Sequence, residues 1–73
     1  MDFSENTIKK AWDRSGGKCE KENCKTILMW DERGKESIFG WEAHHKDENG
    51  PDAPSNCLIL CQKCHKNTLS YGG

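Results

Sequence analysis

The chain lacks any long apolar run. No stretch of its 73 residues approaches the roughly 20 that a membrane-spanning helix needs, and the opening MDFSENTIKK carries no apolar segment of the secretory-signal kind. It also lacks apolar residues in general. The hydrophobic fraction is 33% against 32% charged, so burial alone supplies little stability to a domain this small. An excess of positive charge is missing too: eleven Lys and Arg face twelve Asp and Glu, for a formal charge of −1. A protein that lives by non-specific phosphate contacts is usually cationic, so any affinity for nucleic acid has to be local, cation-assisted or supplied by a partner. Repeats, low-complexity tracts and a second composition are absent, and residues 1–73 are expected to form one domain in a cytoplasmic, reducing compartment.

Against these shortages stand five cysteines. Cys19-x4-Cys24 and Cys61-x2-Cys64 form two closely spaced pairs with 36 residues between them. Two thiolates from one turn can approach a tetrahedral ion together, and four close its coordination sphere against water and substrate. Such a site is structural, and its binding energy becomes folding energy. The odd total fits poorly with a full disulfide framework. Structural zinc is therefore the expectation, the bland alternative being that one pair is simply buried or reactive thiol. Cys57, left over at the head of the apolar CLIL, reads as a core residue.

Along the chain, SENTIKKAWDRSGG reads as a helix capped by Ser4 or Asn6 and ended by Gly16 and Gly17. Ile8, Ala11 and Trp12 supply its apolar stripe. KCEKENCK reads as a ligand loop, TILMW as a strand, DERGKES as a turn around Gly34, and IFGWEAHH as the returning strand of a hairpin. Gly40 marks a bulge or a close backbone approach. KDENGPDAPS is a loop, CLIL docks into the core, and CQKCHKNTL is a closing helix before YGG. The fold class is α+β. Trp12, Trp30, Phe39 and Trp41 are expected to serve as core or hairpin cover, with base stacking by one of the last three a minority reading.

Three further residue types converge on the last third of the chain. His44 and His45 end the second strand, where neighbouring side chains diverge. If Cys64 faces the metal, His65 faces elsewhere, because adjacent helical residues point about 100° apart. Singly, each has a bland reading: strand-end histidines, a loop or cap asparagine at Asn56, or His65 as a zinc ligand in a Cys3His site. Together, HH, the Asn56 that follows eleven residues after His45, and CH resemble the HNH endonuclease motif of the ββα-metal fold. The flanking cysteine pairs and the lead-in Arg14, Gly16, Gly17 and Cys19 are also similar to that family, and the resemblance spans about residues 8–68.

The resemblance implies a role for each matching residue. His45 is the general base that activates water, His44 and His65 hold a catalytic divalent ion, and Asn56 fixes the loop and orients the base. Some members add a further histidine four residues after the last; Leu69 stands there. Sparse protein ligation suits Mg²⁺ or Mn²⁺, whereas imidazole ligands suit Ni²⁺, Co²⁺ or Zn²⁺. The implied activity is one-metal hydrolysis of phosphodiester bonds, with double-stranded DNA as the partner, in a bacterial or phage-type setting. Lys46, Lys63 and Lys66 are the candidate phosphate contacts, while Asp47, Glu48 and Asp52 would either hinder DNA or support the metal. The rival reading is a non-catalytic zinc module that binds nucleic acid or a protein partner. A third is a fragment of a larger nuclease whose other domains grip the DNA.

Overall fold

Ser4 starts the first helix, α1 (Glu5–Ser15): its backbone is extended and its hydroxyl accepts the Thr7 amide at 3.2 Å. Gly16 stops the helix at φ 68°, a left-handed conformation that only glycine adopts without cost. The computed structural model describes residues 3–67. In it, Thr7, Ile8 and Ala11 form the buried stripe of α1, with Trp12 half-buried beside them.

From Gly17 the chain doubles back on itself. The Leu28 amide donates to the Gly17 carbonyl and the Cys19 amide to the Thr26 carbonyl, both at 2.8 Å, with Lys18 opposite Ile27. The cysteine loop is thus a knuckle closed by its own backbone. Here the expected strand TILMW fails: Ile27 and Leu28 pair only with the far side of the knuckle, and Trp30–Glu32 is a single 3-10 turn. The apolar residues of that run do not share a buried face. Leu28 is buried, but Ile27 is 64% exposed and Met29 50%.

The hairpin is formed elsewhere. Strand β1 (Trp41–His45) pairs antiparallel with β2 (Cys57–Cys61), in the register Trp41–Cys61, Ala43–Ile59 and His45–Cys57. IFG is not strand, and CLIL, expected only to dock, is the partner strand. Ile59 and Leu60 go to the centre of the core, which a docked coil could do only by leaving buried amides unpaired. β2 leads directly into a short helix, α2 (Gln62–Lys66), whose N-cap is Cys61. The expected closing helix stops at its C-cap Asn67, while Thr68, Leu69 and YGG lie outside the described residues. The architecture is a small α+β arrangement, a two-stranded antiparallel sheet with α1 and α2.

Of the aromatics expected as core, Trp41 is fully buried, ringed by Trp12 at 4.7 Å and Trp30 at 5.4 Å between centroids. Its indole N–H donates to the Met29 carbonyl at 2.9 Å, so the turn following the knuckle is tied to β1. Trp30 and Phe39 sit at the rim, each 37% exposed. Gly40 is a close backbone approach, as expected, because a Cβ there would fall on the Lys35 carbonyl. No described helix is long and apolar enough to cross a membrane.

Candidate metal centre and histidine site

The knuckle and the β2–α2 junction meet at the four paired cysteines. The sulfurs of Cys19, Cys24, Cys61 and Cys64 all lie within 4.8 Å of one another, and Cys24 Sγ is 3.8 Å from Cys61 Sγ. A tetrahedral ion with metal–sulfur bonds of 2.3 Å spaces its ligands about 3.8 Å apart. The set can therefore hold a metal such as zinc. Local backbone makes this possible. Asn23 and Lys25 take φ of 68° and 57° on either side of Cys24, uncommon for residues with a side chain. The Cys61 amide donates to Cys19 Sγ at 3.3 Å and the Cys64 amide to Cys61 Sγ at 3.4 Å.

Electrostatics point the same way. The Thr26 hydroxyl and amide pull the Cys24 thiol down to about 6, whereas burial pushes Cys19 and Cys64 up. Cys24 is thus readier to ionise than Cys19 or Cys64, and a divalent cation among the crowded sulfurs relieves both burial and mutual repulsion. Cys57 lies apart in the core, its thiol pushed up to about 11 by burial. It is absent from the cluster, in keeping with its reading as a core residue.

One further assembly fixes the knuckle to the sheet. The Arg14 guanidinium donates to both Glu20 oxygens, at 2.9 and 2.6 Å, and to the carbonyls of Pro54 and Cys57, each at 2.6 Å. Glu20 in turn accepts the Ile59 amide at 2.9 Å, while its own amide donates to the Ile59 carbonyl at 2.8 Å. Arg14 therefore links α1, the knuckle and β2.

No family model, curated protein or solved structure matches the chain.

The histidines split across the sheet. His44 turns toward α2, its ring centroid 5.6 Å from that of His65, the two rings edge to face. Burial, followed by the nearby His65 and His45, lowers the His44 pKa and favours its neutral form. His45 turns the other way and stacks on Phe3, beside Ile8 and Arg33. Asn56 is buried and closes the intervening loop: its Oδ1 accepts the Asp47 amide at 2.9 Å, and its Nδ2 donates to the Asp47 and Pro51 carbonyls at 3.0 and 3.1 Å. Among the described residues, the four cysteines are the one set of three or more His, Cys, Asp or Glu ligand atoms that converge.

The candidate phosphate contacts are unequal. Lys46 is exposed directly after β1, Lys63 is exposed on α2 beside Cys24, and Lys66 pairs with Glu36 at 2.7 Å. Two of the three loop acids have structural duties. Asp47 Oδ1 accepts the Asn49 amide at 2.9 Å, and Asp52 accepts the Ser4 amide at 3.1 Å. Sequence reasoning did not single out Phe3, Glu20 or Gln62. Gln62 braces α2 by donating to the Lys35 carbonyl and to Glu42, each at 3.1 Å. None carries a local signal, because each acts on a partner distant in the chain.

Proposed function

We propose that this chain is a metal-dependent endonuclease of the HNH type, hydrolysing phosphodiester bonds in DNA. One observation carries the reading: a strand, a loop pinned by Asn56, a second strand and a helix bring His44 opposite His65. The first comes from the end of β1 and the second from α2, an order of elements that supports the ββα-metal reading.

The donor set suits a catalytic ion. Two imidazoles bound to one ion at roughly 2.1 Å have centroids a little over about 5 Å apart, near the 5.6 Å separation of His44 and His65. Two protein ligands leave the remaining positions to water and phosphate oxygens, which suits Mg²⁺ or Mn²⁺, although imidazole would also accept Ni²⁺, Co²⁺ or Zn²⁺. Such an ion would supply stabilisation of the charge that builds on the phosphoryl oxygens. His45 takes a proton from water as that water attacks phosphorus and the bond to the 3′ oxygen breaks. Asn56 keeps the loop from drifting. Lys46, next to that base, is the phosphate contact best supported, since Lys66 already pairs with Glu36. The cysteine cluster, loaded with zinc, supplies folding energy and takes no part in the chemistry.

The test is cleavage of plasmid DNA by purified protein with Mg²⁺, Mn²⁺, Ni²⁺ or EDTA, alongside zinc content and a folded His45→Ala variant. Metal-dependent cutting that the variant loses is the expected result. Retained cutting by a folded His45→Ala removes the base from His45. A second reading has its own support: His45 stacks under Phe3, on the far side of β1 from His44 and His65, and the chain carries no cationic excess. A zinc module that binds nucleic acid or protein without cutting would then show one zinc per chain, no Mn²⁺ affinity and no cleavage.

A further inference from the structure

The arm ahead of α1 belongs to none of the motifs above, yet it reaches the histidine site. Phe3 is buried, and its ring lies flat on the His45 imidazole, with centroids 3.8 Å apart and planes inclined by 13°. The arm is strapped down at its next residue. The Ser4 amide donates to both oxygens of Asp52, at 3.1 and 3.3 Å, and the Thr7 hydroxyl reaches the Asp52 carbonyl at 3.5 Å. The nearby Thr7 hydroxyl and the Ser4 amide hold the Asp52 carboxyl below the usual carboxylate range. Asp52 in turn adjoins Pro51, whose carbonyl accepts from Asn56. The loop closed by Asn56 therefore also holds the arm.

A flat stack has a specific mechanical effect. The outer torsion of a histidine has a broad, shallow profile, so an imidazole without a neighbour on its face turns and its nitrogens lose their aim. A parallel ring at van der Waals distance removes that freedom while covering only one face of the imidazole, and His45 is half-buried and lines a cavity of about 270 Å³. The geometry points to Phe3 as the positioning residue for His45, with the Ser4–Asp52 strap holding Phe3 in place. This rests on the general-base reading of His45. Phe3 touches no reacting atom; it acts through the ring it covers.

The experiment measures kcat, KM and zinc content in the full chain for wild type, Phe3→Leu, Phe3→Tyr and Asp52→Ala, with the His45 ring-proton shifts followed by NMR. Phe3→Leu keeps an apolar side chain but removes the flat ring. It should lower kcat roughly tenfold or more with KM and zinc unchanged, since small misplacements of a reacting group have large rate effects. The His45 ring protons, shifted upfield by the stack, should move downfield in the same variant. Phe3→Tyr should restore both rate and shift. Because Phe3 is buried, Asp52→Ala is the second arm: it cuts the strap at an exposed residue and should reproduce the kcat loss. Equal kcat in folded Phe3→Leu and wild type overturns the positioning role and leaves the nuclease reading intact. A wild type that cuts with none of the ions overturns the base assignment, and the positioning role with it.

Discussion

At the scale of single residues, Arg14 illustrates how much one side chain can join. Four hydrogen bonds run from its guanidinium to Glu20, Pro54 and Cys57, joining α1 to the knuckle and to the start of β2. A lysine there keeps the charge but loses the planar fork, so it cannot meet a carboxylate and two carbonyls together. Because the side chain is 40% exposed, water replaces part of what is lost. Arg14→Lys should cost about 1–2 kcal/mol, seen as a fall of roughly 4–16 °C in melting temperature for a domain this size. A melting temperature unchanged within error would mean that the network adds nothing. Arg14 was legible only as part of a pattern with Gly16, Gly17 and Cys19. Its partners were not, because Glu20 looks like any acidic surface residue until the knuckle is folded onto β2. Asn56 was better marked: a short amide between loop and strand is suited to bonding nearby backbone, and it does so three times.

At the scale of elements, α1 was readable from both ends, since Ser4 and Gly16 act on their immediate neighbours. The hairpin was not. TILMW and CLIL are similar short apolar runs, and periodicity cannot say which of them pairs with WEAHH. Pairing is decided by what lies between. Trp30–Glu32 coils into a turn, and the following loop is drawn in under Gly40 until Trp41 can enter the core. Gly40→Ala tests that approach. Its methyl group would collide with the Lys35 carbonyl and lie 3.1 Å from that of Ser37. The Lys35 carbonyl also accepts from Gln62, so a shift there is passed to α2. A loss of roughly 1–3 kcal/mol is expected from such overpacking, measured as a lower urea midpoint with an unchanged slope. A variant as stable as wild type would show that the turn relaxes freely.

At the scale of the whole molecule, the radius of gyration is 11.0 Å, close to the about 11.2 Å typical of a folded chain of this length. Few fully buried large side chains achieve this: Trp41, Ile59 and Leu60 stand out, with Cys19 and Cys57 beside them. Domains of this kind have a net stability of only about 5–15 kcal/mol, while zinc bound by small cysteine and histidine domains contributes roughly 10–16 kcal/mol. The comparison decides which term dominates. Removing zinc with a strong chelator should unfold the domain, with far-UV circular dichroism lost and then restored when zinc is returned. Cys61→Ser should reproduce the loss, whereas Cys57→Ala, outside the cluster, should keep its full zinc content. A chelated protein with the native melting curve would leave the cluster without a structural role.

By itself, the sequence determined the features whose chemistry is local: the helix cap and stop, the paired cysteines, and the spacing of His44, His45, Asn56 and His65. Each depends on side chains a few residues apart or on spacing along one segment. Tertiary structure alone decided that β1 pairs with β2, that Arg14 joins three segments, and that of the two diverging histidines it is His44 that meets His65 and His45 that meets Phe3. Those outcomes depend on which apolar faces can be buried together with every backbone amide satisfied, a condition that only the whole folded chain can meet.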